Sequence, residues 1–111
     1  ARTASMTEHE FQERAAACLA QVARWVDRAD DDGLDMTMGD GLVALEFDDG
    51  TKYVLNRQGA ARQMWFAAGA RAWHYDWSGE AWVDDRDGHR LYDRLGEVVA
   101  AKLGHPIAPV V

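Results

Sequence analysis

The apolar residues of this chain change their period twice, and that change limits the folds open to it. Phe11, Ala15, Cys18, Leu19, Val22 and Val26 recur at helical spacing, which marks one buried face of a first helix. Thr7-Glu8-His9-Glu10 fits a capping box at its start, and Asp30-Asp31-Asp32-Gly33 supplies its stop. From Leu34 the period falls to two, with Leu34, Met36 and Met38 expected inward and Asp35 outward. The alternation continues through Val43, Leu45 and Phe47 to the Asp49-Gly50 hairpin signal. Further strands are expected over Thr51–Arg57, Arg62–Ala67, Ala72–Asp76 and Ala81–Asp84. After Asp87-Gly88 the helical period returns in Leu91, Leu95, Val98, Val99 and Leu103, ended by Gly104 and Pro106.

Connections this short make neighbouring strands antiparallel, because a parallel crossover needs a dozen residues or more. Both helices need an apolar surface, so the expected fold is α+β. It is a two-layer α-β sandwich, with two terminal helices on one face of a five- to six-stranded antiparallel sheet. The other sheet face is left to water or to a partner. At 111 residues the chain is one domain. The domain is expected over 7–106, after a leading remnant or disordered stretch at 1–6 and before a C-terminal tail at 107–111.

Charge is distributed unevenly. Nine acids and one base lie between Asp27 and Gly50, so that segment carries −8 of a net −7 and the rest sums to +1. An acidic chain argues against nucleic-acid binding. No apolar run is long enough to span a membrane, so no membrane association is expected. The single cysteine, Cys18, excludes an internal disulfide and two-cysteine metal motifs, which fits a reducing cytoplasm. Cys18 lies on the buried stripe, where packing rather than nucleophilic chemistry is its expected role.

Asp27, Asp30, Asp31, Asp32 and Asp35 gather at the end of the first helix and on the following strand. Asp27 and Asp31 share a helix face if the helix persists that far. Hard oxygen ligands suit iron, Mn²⁺, Mg²⁺ and Ca²⁺, and without enclosing His or Cys ligands binding is expected to be weak and exchangeable. A plain solvated acidic face is the alternative. A calcium loop fails on spacing: with Gly33 at the sharp turn, Arg28 and Gly39 fall on ligand positions. Glu8, Glu10 and Glu13, with His9, form a secondary candidate in the first helical turns. Arg24 and Arg28 interrupt the acidic run and are expected to pair with Asp27, Asp31 or Asp32.

On the outer sheet face, Trp65 is flanked by Asn56, Gln58 and Gln63, the look of a binding hot spot. His74 is expected on the same face with Asp76. Trp73, Trp77 and Trp82 read as core or sheet-edge packing. His89 and His105 give no pattern, and Asp84-Asp85 falls in a turn with no paired histidine. No catalytic residues are assigned: there is no phosphate loop and no H-E-x-x-H motif.

Val43 to Gly50 reads V-A-L-E-F-D-D-G, followed by Asn56-Arg57-Gln58, Gln63-Met64-Trp65, Trp73-His74-Tyr75-Asp76-Trp77 and Leu91-Tyr92-Asp93-Arg94-Leu95. In this combination, over about Thr7 to Pro106, the chain resembles the bacterial frataxin family, the CyaY proteins. The resemblance implies a planar α-β sandwich that binds Fe²⁺ and Fe³⁺ weakly on a surface carboxylate ridge. It also implies contacts with a cysteine desulfurase and an iron–sulfur scaffold protein, through Asn56, Gln58, Gln63, Trp65 and His74. The expected function is an iron-binding regulator of iron–sulfur cluster assembly, not an enzyme, and a monomer without iron. A ferroxidase-like catalyst using the same carboxylates and a metal-independent interaction module are the alternatives.

Overall fold

The computed structural model describes residues 6–111; the expectation for residues 1–5 lies outside the described residues. Helix α1 (Glu8–Ala29) leads into six strands: β1 (Leu34–Gly39), β2 (Leu42–Phe47), β3 (Lys52–Gln58), β4 (Gln63–Ala68), β5 (Arg71–Trp77) and β6 (Trp82–Asp84). Helix α2 (Leu91–Leu103) follows. The strands form one antiparallel sheet in sequence order. Helix α1 lies against β1, β2 and β3, and α2 against β6.

The capping box forms as expected: the Glu10 backbone N–H donates to Thr7 Oγ1 at 3.0 Å, and the Thr7 N–H donates to Glu10 Oε1 at 3.0 Å. Phe11, Ala15, Cys18, Leu19, Val22 and Val26 on α1 meet Val43, Leu45, Leu55, Met64, Phe66 and Tyr75 of the sheet in one core. Leu91, Leu95 and Val99 complete it from α2. Alternation of buried and half-buried residues along β2 fixes the register, because a one-residue slip would turn Val43, Leu45 and Phe47 to solvent.

Four expectations are corrected. Met38 was placed inward, yet it is 53% exposed, because it lies near the end of the edge strand where no helix covers it. Arg62 belongs to the turn before β4, not to the strand, since its backbone is left-handed (φ 52°). Met6, assigned to a loose lead, packs against the core and its carbonyl accepts from Arg62 Nη1 at 2.6 Å. The segment 107–111 is no free tail. Val110 is 1% exposed, Trp25 Nε1 donates to the Ala108 carbonyl at 2.7 Å, and Gln21 Nε2 donates to the Val110 carbonyl at 2.8 Å.

The β1–β2 turn shows why a glycine sits at 41. Its φ is 75°, and a Cβ there would lie 2.8 Å from the Arg57 guanidinium carbon. That approach lets Arg57 donate its backbone N–H to the Gly41 carbonyl at 2.9 Å and its Nη2 to Asp40 at 3.2 Å.

Candidate cation ridge and binding face

Helix α1 stops at Ala29, and Asp30 caps it in the left-handed conformation (φ 45°), its N–H donating to the Val26 carbonyl. Asp27 is therefore the last of the acids on the helix. Asp31 lies beyond it, so the two do not share a helix face as the spacing suggested. Asp31 is instead committed: Oδ1 accepts the Gly33 N–H at 2.8 Å, and Oδ2 pairs with His105 Nε2 at 2.8 Å. Asp27, Asp30, Asp32 and Asp35 are exposed, and among the described residues none of them is in an ion pair.

The arginines do not blunt this cluster by pairing with it. Arg24 Nη2 donates to Gln21 Oε1 at 2.7 Å, and Arg28 Nη2 donates to the Val110 carbonyl at 3.2 Å. The C-terminal segment draws both toward its own side of α1, through Gln21 and Val110. No local pattern signals this, because the partner lies more than eighty residues away.

Asp35 stands directly opposite Glu46 in the β1–β2 register. Like charges placed so destabilise a strand pair, and Lys52, opposite Glu46 on β3, relieves one of them at 3.2 Å. Glu46 thus extends the acidic surface from the edge strand β1 onto β2, a role its alternation with Leu45 and Phe47 could have signalled. Glu8, Glu10 and Glu13 are a separate group. They sit at the opposite end of a 22-residue helix, roughly 33 Å long. Glu10 is held by its cap, which lowers its carboxyl pKa through the Thr7 hydrogen bonds, and Glu13 pairs with His9 at 3.3 Å.

The outer sheet face assembles as expected. Asn56, Trp65 and His74 are register partners across β3, β4 and β5, and Gln58 pairs with Gln63 in the adjoining row. Trp65 stacks on His74 with centroids 4.3 Å apart and planes 19° apart, which leaves the indole half-buried rather than fully exposed. Its Nε1 donates to Gln63 Oε1 at 3.0 Å. Gln63 Nε2 in turn donates to Asp76 Oδ1 and Asp85 Oδ2, each at 3.1 Å. The platform is pre-organised, so a partner need not freeze these side chains.

Cys18 is 1% exposed, and burial pushes its thiol up to about 12, consistent with packing. The expectation that Asp84 lacks a histidine is overturned: His89 Nδ1 lies 3.9 Å from Asp84 Oδ2 and 2.6 Å from Asp87 Oδ1.

The Frataxin-like domain model matches residues 4–105. The chain belongs to the frataxin-like family. The iron–sulfur cluster assembly protein CyaY of Variovorax paradoxus is 30% identical, with 92% of this chain and 96% of the relative covered. A frataxin from Psychromonas ingrahamii superposes with a TM-score of 0.88 at 24% identity, over 96% of this chain and 99% of that one. Trimeric frataxin from the yeast Saccharomyces cerevisiae, complexed with ferrous, gives a TM-score of 0.61 at 24% identity, over 94% and 91%. At that identity the two structures bear on the fold, and both share the helix-flanked antiparallel sheet. Among the described residues, no helix is long and apolar enough to cross a membrane.

Proposed function

We propose that this protein is an iron-binding regulator of iron–sulfur cluster assembly. It takes up Fe²⁺ and Fe³⁺ weakly and exchangeably on the acidic ridge, and it modulates a cysteine desulfurase–scaffold complex in the cytoplasm. The observation that carries the reading is the set Asp27, Asp30, Asp32 and Asp35, four exposed carboxylates gathered over nine residues without an ion-pair partner among the described residues. Oxygen-only donors on an open surface suit a hard, exchangeable cation and admit other divalent ions. Iron is the cargo rather than a resident cofactor. Membership in the family, and a relative named for iron–sulfur cluster assembly, select iron from the cations such a surface accepts. The yeast relative's ferrous complex supports the same choice.

The partner surface is assigned to Asn56, Gln58, Gln63, Trp65 and His74, with the scaffold on the Trp65 platform and a basic patch of the desulfurase against the ridge. Self-repulsion of the acidic ridge favours a monomer without iron. Ridge carboxylates used by iron are unavailable to the desulfurase, so the two compete for one surface. Anaerobic Fe²⁺ titration of the wild type and of an Asp30→Asn/Asp32→Asn/Asp35→Asn variant tests the ridge. Several-fold weaker binding in the variant is expected, and identical isotherms refute the assignment.

A further inference from the structure

We propose that Asp84, Asp87 and His89 form a second cation site, separate from the ridge, that takes a first-row divalent metal through one imidazole nitrogen and two carboxylate oxygens. The loop carrying them is pinned at both ends. Asp84 donates its N–H to the His89 carbonyl at 2.8 Å, Gly88 donates to the Asp84 carbonyl at 3.0 Å, and Val83 bridges Arg90.

Asp84 is the one buried charged residue among the described residues, at 5% exposure. Its Oδ1 accepts two backbone N–H groups, from Arg86 at 2.7 Å and Asp87 at 3.3 Å. Its Oδ2 accepts no hydrogen bond from the described residues and faces His89 Nδ1 at 3.9 Å. The Asp84 side chain is 3% exposed, and Oδ2 keeps only a trace of solvent contact, so a positive partner beside this largely buried carboxylate is favoured. Asp87 Oδ1 approaches the same nitrogen at 2.6 Å, and the three ligand atoms all lie within 4.8 Å of one another.

Metal–ligand bonds of about 2.1 Å put neighbouring ligands about 3 Å apart. Asp87 has to open by a few tenths of an ångström, and Asp84 and His89 to close by about one. The second ring nitrogen is already managed, since His89 Nε2 lies 2.7 Å from the Tyr75 hydroxyl. A hydroxyl donates or accepts. The imidazole proton can therefore move from Nδ1 to Nε2 when a metal takes Nδ1, and Tyr75 stays paired throughout. An oriented second-shell partner of this kind is usual for ligating histidines. Asp87 is two-thirds exposed and gives the ion a route from solvent.

One nitrogen beside two oxygens favours Fe²⁺, Co²⁺, Ni²⁺ or Zn²⁺ over Mg²⁺ and Ca²⁺, unlike the oxygen-only ridge. The loop also meets the Trp65 platform, because Asp85 donates its N–H to the His74 carbonyl at 3.0 Å. A filled site would stiffen that edge of the platform.

Co²⁺ is the probe, followed by paramagnetic shifts in NMR with Mg²⁺ in excess to cover the ridge. In the wild type and in Asp30→Asn/Asp32→Asn/Asp35→Asn, the His89 and Tyr75 resonances are expected to shift at a saturable single site. Asp87→Asn, an exposed change whose fold is checked by circular dichroism, is expected to weaken that site about tenfold or more, and His89→Gln to abolish it. Should His89→Gln fail to fold, Asp87→Asn decides alone. Shifts confined to Asp30–Asp35, or equal affinity in Asp87→Asn and wild type, overturn the proposal without touching the ridge assignment.

Discussion

Trp65 and His74 stack face to face on adjacent strands, 4.3 Å between centroids, on the side of the sheet that the helices leave open. The stack ties the platform together but holds little of the core. Trp65→Ala is expected to cost about 1 kcal/mol, the worth of one aromatic pair, and to lower the urea midpoint slightly. Affinity for the desulfurase–scaffold complex is expected to fall tenfold or more, as at a buried-aromatic hot spot. A large stability loss with unchanged affinity, measured by urea melts beside calorimetric titration, refutes the platform as an interface.

Charge removal on the ridge should separate stability from cation binding in the opposite sense. With Asp30→Asn/Asp32→Asn/Asp35→Asn, self-repulsion falls and the thermal midpoint is expected to hold or rise, while Fe²⁺ uptake weakens. A clear drop in the midpoint would show that these carboxylates serve the fold.

The Asp31–His105 pair gives a pH dependence of defined sign. The Pro106 carbonyl and then the Asp31 carboxylate raise the His105 pKa above its ordinary 6.5. A group raised by folding contributes stability in full below its unfolded value and loses it as pH climbs through the folded one. Urea midpoints from pH 6 to 8 should therefore fall more in the wild type than in Asp31→Asn. Since both groups are partly exposed, the difference is small and shrinks further in high salt. NMR titration should show the His105 pKa lower in Asp31→Asn, and an unchanged value contradicts the pairing.

Removing residues 107–111 tests whether that segment belongs to the fold. The buried Val110 is removed from the core, and Trp25, Gln21 and Arg28 lose their carbonyl acceptors at 2.7, 2.8 and 3.2 Å. A loss of about 4 kcal/mol is expected, from one buried valine and three hydrogen bonds. Urea melts give the value, and a wild-type midpoint would show a loosely attached tail.

Local rules recovered much of this structure from the sequence. The capping box at Thr7, the stripe from Phe11 to Val26 and the strand alternation depend on neighbours a few residues away, and each formed where expected except at Met38 and Arg62. The Asn56–Trp65–His74 row was legible too, because period two settles which face a residue takes. What escaped depended on distant partners. Arg24 and Arg28 lie near acids in sequence, yet Arg28 is held by the Val110 carbonyl. Asp31 met His105 across the fold. The Asp84–Asp87–His89 loop offered three ligands in six residues, but only its closure against Val83 and Tyr75 brings them together.

Desulfurase turnover in the presence of the scaffold protein, with and without this protein and with and without Fe²⁺, tests the central claim most directly. The wild type is expected to change sulfide release to an extent that depends on Fe²⁺, and Trp65→Ala is expected to leave it near the rate without added protein. Equal sulfide release with and without the wild-type protein, at every iron concentration, contradicts the account.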